Sequence, residues 1–85
     1  MTRYFDPENQ RYQFMVRESV NGYAIQVLSV PNGVTVPLSP SVASQLNVTL
    51  PDTYRMQCCT RQAAEKELAR IAPLNSWIQM TDETL

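Results

Sequence analysis

The stretch from Arg11 to Leu38 constrains the fold more than any other, because it holds three apolar runs and two turn signals with no room for a helix between them. Along Tyr12–Val20 the residues alternate. Tyr12, Phe14 and Val16 fall on one side of an extended strand, and Arg11, Gln13, Met15, Arg17 and Ser19 on the other. Asn21-Gly22 follows, a dipeptide that accepts positive φ at both central positions of a type I′ turn. It predicts a tight hairpin into Tyr23–Val30, with Val20 opposite Tyr23, Glu18 opposite Ile25 and Val16 opposite Val27.

The second connection is Val30-Pro31-Asn32-Gly33-Val34. Pro31 suits the second position of a type I turn and Gly33 the left-handed position of a G1 bulge, which gives a three-residue loop. Val30 then faces Val34 and Leu28 faces Val36, so Val34, Val36 and Leu38 project on the side of Met15, Leu28 and Val30. A two-residue turn at Asn32-Gly33 would gather every apolar side chain on one face, but Pro31 would then leave a ladder bond unmade. The bulged loop is preferred, and it predicts a sheet with two partly apolar faces. Pro37 places this third strand at an edge.

Eighty-five residues suit one domain, 1–85, with a small core. At 44% hydrophobic and 18% charged, the composition is that of a globular chain rather than a disordered one. A net charge of -1 gives no overall pull on nucleic acid, no apolar run reaches membrane-spanning length, and Met1–Pro7 lacks a signal-peptide core. These features predict a cytoplasmic protein that does not engage membranes. Cys58 and Cys59 are adjacent, a poor geometry for a disulfide, and without histidine no metal site is expected. Cys59 stands just ahead of a helix start whose dipole would favour a thiolate, yet no base lies near it in sequence.

Residues 1–10 read as a lead-in arm around the turn-forming Asp6-Pro7-Glu8-Asn9, with Tyr4 and Phe5 tucked on the sheet edge. After the meander, Ser39-Pro40 starts a short helical connector, with Val42, Ala43 and Leu46 inward and Asn47 at its end. Tyr54–Cys59 alternates as a fourth strand, Thr60 caps a helix over Arg61–Ala72, and Pro73 stops it. Ala64, Leu68, Ile71 and Ala72 form its apolar stripe, and Glu67 with Arg70 makes an i,i+3 pair on the solvated side. Trp77–Met80 reads as a last strand joined by a right-handed crossover, with Trp77 packed between helix and sheet; Thr81–Leu85 reads as a frayed tail. The fold class is α+β: an antiparallel three-stranded meander, a short helical connector, then strand–helix–strand, with one main helix on one sheet face.

One helix hides one face. The other, carrying Met15, Leu28, Val30, Val34, Val36 and Leu38, calls for a cover from another chain. The expected function is a noncatalytic protein–protein interaction module (homodimer, adaptor or inhibitor) working through that face or the edge strand. The alternative is a nucleic-acid-binding domain reading through Arg11, Gln13, Arg17 and Gln26, against which the net charge counts. No enzyme is expected: the carboxylates Glu18, Asp52, Glu65 and Glu67 share no catalytic spacing, and no motif implies a cofactor.

Overall fold

Arg11–Leu38 does fold as three antiparallel strands, and they make up three strands of a five-stranded sheet. The computed structural model describes residues 2–80 of the chain. In chain order the elements are β1 (Arg3–Asp6), β2 (Asn9–Ser19), β3 (Gly22–Ser29), β4 (Val34–Pro37), α1 (Pro40–Leu46), α2 (Arg61–Leu74) and β5 (Ile78–Met80). The sheet order is β4-β3-β2-β1-β5 with every pairing antiparallel, so the class is α+β.

The first hairpin keeps its predicted faces but not its predicted partners. Ser19 pairs with Gly22, Val16 with Ile25 and Phe14 with Val27, so Val20 and Asn21 form the loop and the register is displaced by two residues. A shift of two preserves the side-chain alternation, which is why the pattern alone did not exclude it. Gly22, at φ 143, answers to a different demand: a Cβ there would sit 2.2 Å from the Cys58 carbonyl oxygen. The Cys58 main chain crosses at that point and exchanges two hydrogen bonds with Tyr23, each 2.8 Å.

The second hairpin overturns the bulged reading. Ser29 pairs with Val34 and Val27 with Val36 across a four-residue loop, Val30–Gly33. Ser29 accepts from the Gly33 N–H at 2.7 Å, the Asn32 side chain accepts from the Val34 N–H at 3.3 Å, and Gly33 sits at φ 70. Pro31 therefore lies inside the loop, where its missing N–H breaks no ladder bond. The faces change as a result: Val34 and Val36 join Tyr12, Phe14, Val16, Ile25 and Val27 on the helix side.

Two further expectations fail together. Residues 3–6 are not an arm but β1, which pairs with β2 (Tyr4 opposite Phe14) and lies between β2 and β5. Tyr54–Cys59 is not a strand and contributes a single bridge, Cys58 with Tyr23. The last strand, β5, does form, but it runs antiparallel to β1 (Phe5 opposite Ile78), so there is no βαβ crossover. Tyr4 and Phe5 carry the signal for β1: they alternate across the sheet, Tyr4 against the core and Phe5 on the far side. The short run before a turn cluster resembled a terminus more than a strand. The expected tail, 81–85, lies outside the described residues.

The helices start where the caps predict. Ser39 Oγ accepts from the Val42 N–H at 3.2 Å and Thr60 Oγ1 from the Ala63 N–H at 3.1 Å. Pro73 does not end α2; it occupies the last turn, and Asn75 takes the exposed carbonyls, its N–H bonding Ala72 O and its amide Nδ2 bonding Ile71 O. The same Asn75 amide accepts from the Thr49 N–H at 2.7 Å and donates to the Thr49 carbonyl at 2.9 Å, as a strand partner would. That clamp fixes the segment between the helices, whose Val48, Leu50, Tyr54 and Cys58 close the core beside Leu68 and Ile71. Trp77 is buried and stacks on Phe14, with ring centroids 3.8 Å apart at 12°.

Candidate functional site

The six residues expected to meet a partner do not share a surface. Met15 and Leu38 are wholly buried and offer nothing to another molecule. Leu38 sits in the main core, held there by the β4 register and by its N–H bond to Ile25 O at 2.9 Å. Met15 faces the helix-free side of the sheet, paired with Arg3 on one flank and Gln26 on the other. Its cross-strand neighbours are long polar residues, and Arg3 reaches across to Gln13 Oε1 at 3.1 Å. Leu28 is half-buried on the same side, between Gln13 and Thr35. The helix-free face thus covers its own apolar centre, and Phe5, Ile78 and Met80 join it from β1 and β5. Gln13, Arg17 and Gln26 also belong to this face, with Gln26 opposite Met15; Arg11 is exposed beside the irregular start of β2.

What remains of the six is Val30, Val34 and Val36, exposed by 46%, 54% and 38% along one edge of the sheet. Val34 and Val36 border a groove of about 320 Å³ between β4 and α1, whose walls also include Tyr12, Val27, Val42 and Leu46, while Val30 lies outside it in the loop. The main-chain geometry of this edge follows from the hydrogen-bond alternation. Val30 N–H bonds Arg11 O, so in β3 the residues Leu28, Gln26 and Ala24 bond toward β2, leaving Ser29, Val27, Ile25 and Tyr23 to bond outward. Their partners are Val34, Val36, Leu38 and Cys58. In β4 the intervening Thr35 consequently turns its N–H and C=O away from the sheet. Pro37, the next residue of that kind, has no N–H, and its carbonyl accepts from Ser39 N–H at 2.9 Å.

The edge also lacks charge. No Asp, Glu, Lys or Arg occurs from Val30 through Pro51, a run that builds β4, α1 and part of the walls of the groove between them. That run was visible in the sequence, but charge spacing is usually weighed within single helices, and here it matters only once β4 and α1 are adjacent.

A second cluster gathers titratable groups. Glu67 is buried, against the solvated position expected for it, and its carboxylate accepts from the Arg55 N–H and from Arg70 Nη1, each at 3.0 Å. Arg70 continues to Thr53 Oγ1 at 2.9 Å. Glu67 lies between Ala64, Leu68 and Ile71 on the helix, so its position marked it for burial and only its charge disguised that. The Tyr54 hydroxyl donates to Leu38 O at 2.6 Å. Burial first, then the Glu67 carboxylate, pushes both the Tyr54 phenol and the Cys58 thiol above their ordinary ionisation ranges. A thiol held protonated is a poor nucleophile, and the bonds from the Arg55 N–H to Glu67 and from Arg70 to Thr53 tie the 53–58 segment to α2. Among the described residues no three of His, Cys, Asp and Glu gather where they could hold a metal ion, and no helix is long and apolar enough to cross a membrane.

The raised values carry a pH dependence with a definite sign. Above pH ~9 the unfolded chain gives up these protons while the folded chain keeps them, so unfolding is favoured as pH rises. Urea melts at pH 8 and pH 10.5 are expected to show a loss of stability, below the ~1.4 kcal/mol per pH unit of one fully withheld proton because Tyr54 is only part-buried. Tyr54→Phe should flatten the alkaline limb; an unchanged limb would exclude the phenol as its source.

Comparison with family models, with curated proteins and with solved structures found no match.

Proposed function

We propose that the protein is a noncatalytic protein-binding module that receives an extended segment of another chain along β4, the segment's alternate side chains lying in the groove beside α1. The observation that carries this reading is the coincidence, at one charge-free edge, of the outward-turned Thr35 main chain, exposed Val34 and Val36, and an apolar groove opening next to them. Main-chain bonds supply attraction in such strand addition, and a groove for alternate side chains supplies selectivity. The buried titratable cluster, by contrast, has its hydrogen-bonding capacity taken up inside the fold: no buried side-chain nitrogen or oxygen among the described residues lacks a partner. The helix-free face, the place first expected for docking, is closed over its central Met15.

The test is an NMR titration of labelled protein with short synthetic peptides alternating valine and threonine, against a lysine-interrupted control. Shift changes are expected to concentrate on Val30–Leu38 and on Val42–Leu46. Changes centred on Arg3, Gln13 and Gln26, or no response up to about 1 mM peptide, an affinity floor near 4 kcal/mol, would end the reading.

A further inference from the structure

We infer that the segment β4 receives is β4 of a second copy, joined about a two-fold axis through Thr35; the inference rests on the strand-addition reading above and names its occupant. Three observations favour a second copy over a foreign strand. Val34-Thr35-Val36 reads the same in both directions. In an antiparallel pair centred on Thr35, the two Thr35 residues exchange both main-chain bonds, and Val34 of each chain stands opposite the partner's Val36. These valines all project on the helix side, extending the walls of the two grooves into one another.

The second observation is the shortness of the free edge. Beyond Thr35 the next outward positions are Gly33 and Pro37; the Gly33 N–H is taken by Ser29 O, Pro37 has no N–H, and the Pro37 carbonyl is bonded by Ser39. Apart from one bond that a foreign strand could donate to the Gly33 carbonyl, which the second copy's Pro37 has no N–H to make, a longer strand gains no more main-chain bonds here than a second β4 does. Pairing also stops where the two-fold pair is complete, and an isologous contact of this kind uses up the edge and closes, so it produces a dimer and no fibre. The third is charge. Each chain carries a net -1, yet the run Val30–Pro51 has no charged residue, so two copies meet here without like charges across the contact. Edge strands that must stay single are often blunted by a lysine or similar charge; β4 carries none, and only its four-residue length and Pro37 limit pairing to the Thr35 centre.

A contact this small forms a weak dimer, so the experiment is sedimentation equilibrium over about 10 μM to 1 mM, the range in which such affinities are read. The expected result is a mass rising from one chain of 9.7 kDa toward two. Val34→Lys should abolish the rise with the circular dichroism unchanged, because Val34 is more than half exposed. Adding Val36→Glu should restore association, because Lys and Glu then face each other across the axis. A monomer throughout the range overturns the two-fold pair, and the peptide titration then decides separately whether β4 accepts other strands. Association undiminished by Val34→Lys places the contact elsewhere and also overturns it. Should the double variant unfold, a Thr35→Cys chain on a Cys59→Ser background replaces it. Air oxidation must then link two copies through residue 35, whose pairing distance across the axis, about 5.5 Å between Cα atoms, suits a disulfide, and failure to link overturns the proposal.

Discussion

Gly22→Ala is expected to lower stability by roughly 3–5 kcal/mol, enough to leave a chain of this size largely unfolded at moderate temperature. The added Cβ would stand 2.2 Å from Cys58 O, 3.2 Å from Cys58 C and 3.3 Å from Gln57 Nε2. The first two atoms are backbone and do not swing aside. Cys58 is fastened by two 2.8 Å bonds to Tyr23 and by its own buried side chain. To admit the methyl group the 57–59 segment must lift, which forfeits both bonds at about 1 kcal/mol each and uncovers the thiol. The φ of 143 adds strain of about 1–3 kcal/mol for any residue with a side chain. Gly33→Ala is the control: at φ 70 it meets nothing within 4 Å, so about 1 kcal/mol of backbone cost is all it should show. Urea denaturation of the two variants side by side measures the difference. Equal losses would mean that the close passage of Cys58 over Gly22 does not exist.

That contrast explains what the sequence disclosed and what it withheld. Alternation along Tyr12–Val16 and Ile25–Val27 was legible because burial of one sheet face imposes a period of two on any strand. The caps at Ser39 and Thr60 were legible because their partners lie three residues away. Both glycines were recognised as turn residues, but register depends on what crosses the turn. Gly22 is required by Cys58, distant in sequence, and Pro31 is tolerated because a four-residue loop takes it out of the ladder. The single residue of register at the second hairpin moved Val34, Val36 and Leu38 to the other face, and with them the basis for a large uncovered patch.

The same reasoning governs the candidate surface. Val34 and Val36 were singled out for the wrong face and remain of interest for a different reason, their place beside the outward-turned Thr35. Met15 looked like an exposed hydrophobe because nothing in its neighbours' spacing reveals that Arg3, from a strand read as an arm, lies alongside it. Tyr54–Cys59 alternated convincingly yet forms one bridge, since β4 and Leu38 already occupy most of the β3 edge and only the position opposite Tyr23 is left.

Trp77→Ala should be as damaging as Gly22→Ala, at about 3–5 kcal/mol, but through lost packing rather than steric exclusion. The indole is buried and lies nearly parallel to Phe14 at 3.8 Å, joining the α2 terminus to the middle of the sheet. Its N–H from the main chain bonds Ala72 O at 2.9 Å, so the residue also sets the direction in which the chain leaves α2 toward β5. Truncation empties space beside the Leu46, Val48 and Leu74 wall, where the surrounding segments are already tied by the Asn75–Thr49 clamp and cannot collapse fully. Trp77→Phe keeps a ring on Phe14 and should recover more than half of the loss. As Trp77 is the sole tryptophan, circular dichroism in urea must replace fluorescence as the probe. Amide exchange adds a spatial readout: among the described residues β5 pairs only with β1, so Ile78–Met80 and Arg3–Phe5 should lose protection first, while β3 and β4, on the far side of the sheet, keep theirs. A loss under 1 kcal/mol, or exchange that rises uniformly across the sheet, would show that the stack does not hold β5 in place.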